Sequence, residues 1–196
     1  MRRISLISLV AFCAFFSLAV AASAESVIGT IKRSYASIID MQGGFRQESV
    51  IKELGETRKA SGRFYMKRGK MRWEYAEPEK QTIVVSGGEM LVKQAGNPEI
   101  MRGKFDAAAY GQTPIALLSG LGDVERDFLV RQEGASAIIL TPKADMGIVR
   151  TIRIEAGRGA FPVKTLKLTD IYGNTNLFAL EGVKINKGIG DEVFVP

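Results

Sequence analysis

Apolar residues recur with two different periods along the chain, and each period predicts a different element. From Ser26 to Asp40 they are spaced three and four apart, which puts them on one side of an α-helix. Ser26 can cap the first turn of this helix, and the pair Gly43-Gly44 is expected to end it. The apolar stripe of the predicted helix consists of Val27, Ile28, Ile31, Tyr35, Ile38 and Ile39.

After residue 44 the apolar residues alternate with polar ones, as expected for β-strands with one buried face. Glycine-containing turns, such as Gly87-Gly88 and Gly173-Asn174, separate short runs of this kind, which favours an antiparallel meander. The predicted strands are Phe45–Ile51, Ser61–Arg68, Lys70–Tyr75, Gln81–Ser86, Met90–Gln94, Asp127–Gln132, Ser136–Thr141, Ile148–Ala156, Val163–Thr169 and Thr175–Glu181.

One stretch interrupts the alternation. Between Phe105 and Gly122 an alanine run is followed by Thr113 and Pro114, which suit the cap and the first position of a helix. We therefore predict one or two short helices inserted within the sheet. The predicted fold is mainly β with added helices (α+β): one highly curved antiparallel sheet, an N-terminal helix and a central helical insertion. Helices in such a fold bury their apolar stripes against the concave face of the sheet.

The N-terminal segment has the pattern of a secretory signal peptide. Arg2 and Arg3 precede an apolar run that ends in Ala22-Ser23-Ala24, the small-residue pattern of a cleavage site. We expect a signal peptide over residues 1–24, cleaved after Ala24, and a single exported domain over residues 25–196. An uncleaved membrane anchor is the alternative, because the apolar run is long.

Composition excludes several kinds of site. The chain has no histidine and one cysteine, which excludes a histidine-based acid–base relay, a cysteine–histidine zinc site and an intrachain disulfide. The sequence also contains no nucleophile elbow, no phosphate-binding glycine loop and no complete calcium loop. We therefore predict no catalytic residue, no metal site and no cofactor, and a hydrolase with paired carboxylates stays open as an alternative.

The basic charge does not point to nucleic acid. The net charge is +6, and it becomes +4 when Arg2 and Arg3 are removed with the signal segment. The lysines and arginines are scattered along the predicted strands and do not interleave with aromatic residues as a base-stacking platform would require. A solvated basic surface, or attraction to anionic headgroups or an acidic partner, fits this pattern.

The segment from Gly62 to Pro78 resembles the periplasmic outer-membrane lipoprotein carrier proteins of the LolA family. Members carry a strand that begins with glycine and ends in Lys-Arg, followed by an aromatic-Glu-Tyr-x-x-Pro segment; this chain has Lys67-Arg68 and Trp73-Glu74-Tyr75 there. Further matches follow in the order of the family: Phe45-Arg46-Gln47, Ile83–Gly88, Thr113–Leu118, Leu140–Lys143, and Asp170 with Gly173-Asn174. The resemblance covers essentially the whole mature chain.

This resemblance implies an unclosed β-barrel with a helical lid, and an apolar cavity between them that takes the acyl chains of a lipoprotein. Carriers of this family are not enzymes, and we expect a monomer. They collect lipoproteins from an inner-membrane ABC transporter, cross the periplasm and deliver them to an acceptor at the outer membrane. The same fold acting as a carrier of another lipid, or as a sensor of mislocalised lipoproteins, is the alternative function.

The resemblance also supplies candidate site residues. Arg68 matches the arginine that holds the lid helices closed by hydrogen bonds, and by alternation it shares a face with Phe64 and Met66. The family's proline after this arginine is missing, which leaves Lys67 as the alternative gate. Tyr35 is the second gate candidate, because its hydroxyl can bond to the arginine. The candidate acyl-chain cavity is lined by Ile31, Ile38, Phe45, Phe64, Met66, Met71, Trp73, Leu91, Ile115 and Leu118.

Overall fold

A computed structural model describes residues 26–105, 124–159 and 161–195. The predicted signal segment lies outside the described residues, and so does the predicted central insertion except for Phe105. Two α-helices are described, α1 (Val27–Ala36) and the single turn α2 (Val124–Asp127). None of the described helices is long and apolar enough to cross a membrane.

Helix α1 begins as predicted and ends earlier than predicted. The Ser26 hydroxyl accepts the backbone N–H of Gly29 at 3.2 Å, which satisfies one of the free donors of the first turn. The helix ends at Ala36 because contacts with the far end of the chain draw the next residues into the sheet. Asn186 Oδ1 accepts the backbone N–H of Ile39 at 2.8 Å, and Asp40 begins the first strand.

Gly43 and Gly44 do not end the helix: both lie within strand β1 (Asp40–Ile51), which corrects the prediction. The register with the last strand shifts between Gln42 and Gly44, as in a β-bulge. A Cβ atom at Gly43 would lie 3.0 Å from the ring of Phe64 and 3.0 Å from a backbone oxygen of the neighbouring strand. The glycine therefore allows close packing across strands.

In the part of the chain that the structure describes, eleven antiparallel strands form one curled sheet that does not close, which confirms the predicted fold class. The order across the sheet is β6-β5-β4-β3-β2-β1-β11-β10-β9-β8-β7, so β6 and β7 are the two edges of the part that the structure describes. The two halves of the meander join where β1 pairs with β11. The remaining strands are β2 (Glu56–Lys67), β3 (Lys70–Glu77), β4 (Gln81–Ser86), β5 (Glu89–Gln94), β6 (Ile100–Lys104), β7 (Phe128–Glu133), β8 (Ala137–Pro142), β9 (Val149–Ala156), β10 (Val163–Asp170) and β11 (Thr175–Ile185).

Each of the ten predicted strands overlaps an observed strand, and β6 was not predicted. All but the first residue of β6 are exposed, so no alternation of apolar and polar residues marks it in the sequence. Strand β2 ends at Lys67, one residue before the predicted end. Arg68 consequently lies in the turn between β2 and β3.

The inner face of the sheet, defined as the face covered by α1, carries the main core. Val27 and Ile31 of α1 are buried in the same apolar cluster as Phe45, Phe64 and Trp73 of β1, β2 and β3. The apolar stripe of the helix therefore packs against one face of the sheet, as predicted.

The opposite, outer face is crossed by the C-terminal segment, residues 186–195, for which the sequence analysis made no prediction. A 3-10 helix, Asp191–Phe194, lies near its end. Ile189 and Phe194 are buried there with Val84 of β4, and Tyr65 and Leu91 pack against them.

Hydrogen bonds fasten the C-terminal segment at both ends. The buried carboxylate of Asp40 accepts the backbone N–H groups of Lys187, Gly188 and Ile189 at 2.8, 2.9 and 3.3 Å. Further along, Arg72 Nη1 donates to the carbonyl oxygen of Val193 at 3.2 Å and to the carbonyl of Val195 at 2.6 Å. The segment is thus an integral layer of the outer face.

Candidate functional site

A group of aromatic rings forms the centre of the inner face. Trp73 stacks on Phe64 with centroids 5.0 Å apart and lies 4.6 Å from Phe45. Phe178 of β11 closes the group, 6.1 Å from Phe45 and 6.3 Å from Trp73. Gly62, which pairs with Phe45, leaves room for that ring, because a Cβ atom there would lie 2.8 Å from it and would overlap a backbone oxygen. The result is a continuous aromatic group on the inner face, in the same apolar cluster as α1.

Methionines extend this surface toward the turn between β2 and β3. Met66 pairs with Met71 across that hairpin and with Met41 of β1 on its other side. All three side chains are buried. Methionine is unbranched and polarizable, so this end of the inner face can repack around a ligand more readily than the aromatic centre can.

Helix α1 packs against the inner face mainly through apolar side chains, as far as the described residues show. Val27 and Ile31 are fully packed, and Ile28, Tyr35 and Ile38 are partly buried against the same cluster. An ion pair of 2.6 Å joins Lys32 to Glu125 of α2, but both side chains are about half exposed, so it contributes at most about 1 kcal/mol. The helix is therefore held mainly by apolar contact with the sheet.

Tyr35 carries a buried polar atom that lacks a partner. Its ring packs edge-on against Phe161, with the centroids 5.4 Å apart. Its hydroxyl oxygen is buried and has no hydrogen-bond partner among the described residues. Burial raises the pKa of this hydroxyl well above the usual value, so it stays protonated and is able to donate.

The two gate candidates at the end of β2 have different surroundings. Lys67 follows the inward-facing Met66, so its side chain lies on the outer face. There its ammonium group binds the C-terminal segment. It donates to the Ile189 carbonyl at 3.2 Å and pairs with Asp191 at 2.9 Å. Arg68 is exposed in the turn and has no hydrogen-bond or ion-pair partner within the described part of the chain.

The other predicted cavity residues fall into three groups. One apolar cluster on the inner face brings together Ile31, Ile38, Phe45, Phe64, Met66, Met71 and Trp73. Leu91 lies on the outer face under the C-terminal segment, which places it apart from this cluster; its neighbours Met90 and Val92 face inward instead. Ile115 and Leu118 lie outside the described residues.

Sequence reasoning missed several residues of the same inner face. Tyr75 follows Trp73 by two positions, so alternation along β3 could have identified it. Phe178 is brought to the site by the pairing of β1 with β11, for which the sequence carries no local signal. Beyond these rings, toward the far end of β1, Gln47, Ser49 and Asn176 continue the inner face as a polar group.

The described part of the chain shows no arrangement of side chains suited to holding a metal ion. No cluster of three or more acidic, histidine or cysteine side chains with that capacity occurs there. The two buried carboxylates, Asp40 and Asp170, are engaged by backbone N–H groups of the C-terminal segment and of the β10–β11 turn. What the site offers is a sheltered apolar surface with a polar end.

Comparison with known proteins agrees with this geometry. The family model of the outer membrane lipoprotein carrier protein LolA matches residues 36–196. A protein of Cupriavidus taiwanensis named outer-membrane lipoprotein carrier protein is 28% identical over 202 aligned positions, which cover 99% of this chain and 94% of the relative. A protein of the same name from Neisseria meningitidis serogroup B is 26% identical, covering 99% and 93% of the two chains.

A solved structure resembles the fold at low identity. The crystal structure of a DUF1329 family protein from Desulfovibrio piger aligns with a TM-score of 0.53 at 10% identity, covering 86% of this chain and 94% of that one. At this identity the likeness concerns the fold alone. Because the family model spans most of the chain, from the end of α1 through the C-terminal segment, the chain belongs to the LolA family of outer-membrane lipoprotein carrier proteins.

Proposed function

We propose that this chain carries lipoproteins from the inner to the outer membrane across the periplasm, with their acyl chains sheltered between α1 and the inner face. The observation that carries this proposal is the apolar cluster that joins Phe45, Phe64, Trp73 and Phe178 of the sheet to Val27 and Ile31 of α1, in a chain of the lipoprotein carrier family. Burial of an acyl chain gains about 0.8 kcal/mol per methylene, so the apolar surface alone can hold the cargo.

Entry of acyl chains requires that α1 moves away from the sheet. The helix has ten residues, fewer than the roughly 12–15 that an isolated helix needs in water, so its stability depends on packing against the sheet. Acyl chains compete for the surface that Val27 and Ile31 cover. The connection after the helix stays anchored, because Asn186 bonds to Ser37 and Ile39, and α1 swings about that connection.

Arg68 and Tyr35 form the gate of this lid in our proposal. Asp40 pairs with Lys67, so the turn that carries Arg68 lies at the same end of the sheet as the connection from α1 to β1. At the end of α1 the carbonyl oxygens of Ser34 and Tyr35 already accept the backbone N–H groups of the residues three positions further on. A carbonyl oxygen can accept a second hydrogen bond, and an arginine can bond to several acceptors at once. The unpartnered hydroxyl of Tyr35 offers a further group near the same helix end. Lys67 is less suited, because the C-terminal segment occupies it on the outer face.

The remaining assignments complete the proposal. The signal peptide is residues 1–24, cleaved after Ala24, and residues 25–196 form a single carrier domain that works as a monomer without a cofactor. Ile115 and Leu118 add to the cavity from the central insertion.

The partners are an inner-membrane ABC transporter that releases lipoproteins and an acceptor at the outer membrane. The chain acts by binding and release and has no enzymatic activity.

The experiment that tests this function measures release of lipoproteins from membranes. Purified protein is added to proteoliposomes that contain the ABC transporter and a labelled lipoprotein, and the soluble fraction is analysed by mass spectrometry. We expect a soluble complex with the wild-type protein and none with Ile31→Glu, which puts a charge on the buried side of the lid. Ile39→Glu is the matched control, because Ile39 is 67% exposed. Failure of the wild-type protein to solubilise lipoprotein would exclude the carrier function.

A further inference from the structure

The inner face changes from aromatic to polar along β1. Beyond Phe45, the next two inward positions are Gln47 and Ser49, and Asn176 lies beside Ser49 on β11. The three side chains are hydrogen-bonded to one another: Gln47 Nε2 donates to Asn176 Oδ1 at 3.0 Å, and the Ser49 hydroxyl donates to the same oxygen at 3.2 Å. A polar group of this kind on an otherwise apolar face needs an explanation, because apolar residues would pack there without hydrogen-bonding demands.

Not every polar atom of this group has a hydrogen-bond partner among the described residues. Gln47 Oε1 is buried and has no hydrogen-bond partner there. Buried acceptors in folded proteins are almost always bonded to protein, to water or to a ligand. An open acceptor that faces the inner side is therefore suited to a ligand that brings an N–H group.

A cavity adjoins the polar group. Its volume is about 310 Å³, which lies at the lower end of the range of small-ligand sites. The strand positions that line it belong to the same face as Phe45 and Trp73, so the cavity opens onto the end of the aromatic surface. The partly buried polar side chains of its wall are Gln47, Ser49, Tyr75 and Gln81.

The inner part of this cavity is neutral, whereas its exposed part is charged. The charged side chains of the wall, Arg58, Lys59, Glu79 and Lys80, are all exposed. The partly buried part of the wall has only amide and hydroxyl groups as polar side chains, so it favours a neutral polar ligand. The nearby charge of Arg58 is already matched by Glu56, through two hydrogen bonds of 2.8 and 3.1 Å. Such a set can donate to carbonyl oxygens and accept from amide N–H groups without requiring a charge on the ligand.

Tyr75 joins the two halves of the inner face. Its ring packs edge-on against Phe45 with the centroids 5.1 Å apart, and it also contributes to the wall of the cavity. Burial raises the pKa of its hydroxyl to about 12, so the hydroxyl keeps its proton under all physiological conditions and remains a donor.

We propose that this cavity, centred on Gln47 and Tyr75, binds the junction between acyl chains and polypeptide, that is, the ester carbonyls and amide of an acylated N-terminal cysteine. Gln47 Oε1 accepts the amide N–H of the junction, and the Tyr75 hydroxyl donates to an ester carbonyl. The acyl chains then run along the aromatic surface, and the polypeptide leaves from the polar end. This assignment rests on the proposed carrier function, and it adds a reason why a lipopeptide binds better than a plain hydrocarbon.

The test compares two probes on protein purified from the periplasm. A synthetic tripalmitoylated cysteinyl peptide has the junction, whereas diphenylhexatriene is a hydrocarbon without polar atoms. Loss of one hydrogen bond in Gln47→Leu or Tyr75→Phe should weaken binding of the lipopeptide by about three- to tenfold and leave binding of the hydrocarbon unchanged. Gln42→Leu is the matched control, because Gln42 lies on the same strand, in a position that alternates with the inward-facing Met41.

Each outcome of this test is decisive. Wild-type affinity for the lipopeptide in both variants overturns the junction site and leaves the carrier function intact. Parallel loss of both probes in both variants also overturns it, since the residues would then support the sheet in general. Failure of the wild-type protein to bind the lipopeptide at all refutes the carrier function itself.

Discussion

Two neighbouring cations at the end of β2 differ in what holds them in place. Lys67 is bonded to the carbonyl of Ile189 and paired with Asp191, so it fixes the C-terminal segment to the outer face. Arg68 is exposed, and no described residue binds it. An arginine that the fold does not occupy is free to bond to the lid, whereas a lysine engaged on the outer face is not.

Substitution of Arg68 by leucine should therefore separate loading from delivery. Without the gate, the lid loses the hydrogen bonds that favour its closure, so a bound lipoprotein is retained. Because hydrogen bonds to a charged group contribute about 1.5–3 kcal/mol, transfer to acceptor membranes should slow by about tenfold or more, while uptake of lipoprotein persists. Transfer is measured as labelled lipoprotein recovered in outer-membrane vesicles.

The conservative change at the same position serves as the control. Arg68→Lys keeps the charge but not the planar group that can bond to several carbonyls, so an intermediate transfer rate is expected. Transfer by Arg68→Leu at the wild-type rate would mean that another residue closes the lid.

Alternation along strands predicted most of the inner face and failed where both faces are buried. Phe64 and Met66 are buried on the inner face, and Tyr65 between them is less buried, so the alternation along β2 is clear there. Strand β4 has three consecutive buried residues, and β5 beside it has apolar residues at successive positions, so the pattern does not reveal which side is inner. For that reason Leu91 was assigned to the cavity, although it lies under Phe194 on the outer face.

At the scale of elements, the joint between α1, β1 and the C-terminal segment is the part that the sequence could not reveal. Asp40 accepts hydrogen bonds from the backbone of Lys187, Gly188 and Ile189, which follow it in the sequence by 147 to 149 positions. Asn186 bonds to Ser37 and Ile39 over a similar separation. Local periodicity holds no information on such contacts, so the predicted helix was too long and the C-terminal segment received no prediction.

Loss of the Asp40 carboxylate should release the C-terminal segment from the outer face. Asp40→Ala leaves three backbone N–H groups without their acceptor, and we expect the free energy of unfolding to fall by about 1–3 kcal/mol. Hydrogen exchange of residues 186–195 should accelerate in this variant. Asp191→Ala is the comparison: it removes two ion pairs of an exposed carboxylate and leaves the bond from Lys67 to the Ile189 carbonyl, so a smaller change is expected. Unchanged exchange in Asp40→Ala would show that apolar contacts alone hold the segment.

At the scale of the whole molecule, two partly buried tyrosines, Tyr35 and Tyr75, make the stability of the fold depend on pH in the alkaline range. Burial raises the pKa of Tyr35 well above the usual value and that of Tyr75 to about 12. An unfolded tyrosine ionises near pH 10, so the unfolded state releases these protons first as the pH rises. The stability that these groups contribute is fully present below about pH 10 and is lost as the pH rises toward 12.

Urea unfolding at several alkaline pH values measures this dependence. The free energy of unfolding of the wild-type protein should fall above about pH 10, and the fall should be smaller in Tyr75→Phe, which has no proton to lose. The tyrosinate absorbance of the folded protein should accordingly rise in at least two stages. A single titration of all tyrosines near pH 10 in the folded protein would contradict the assigned burial.

The two edge strands of the described sheet, β6 and β7, mark the place where the carrier can become wider. The strands nearest the chain ends, β1 and β11, are paired along most of their length, whereas β6 and β7, which follow each other in the chain, share no ladder in the part that the structure describes. A bulkier cargo can therefore widen the molecule between β6 and β7 without breaking any backbone hydrogen bond of the sheet. Tolerance of cargo size then depends on this gap in the described sheet, while the pairing of β1 with β2 and β11 holds the aromatic centre together.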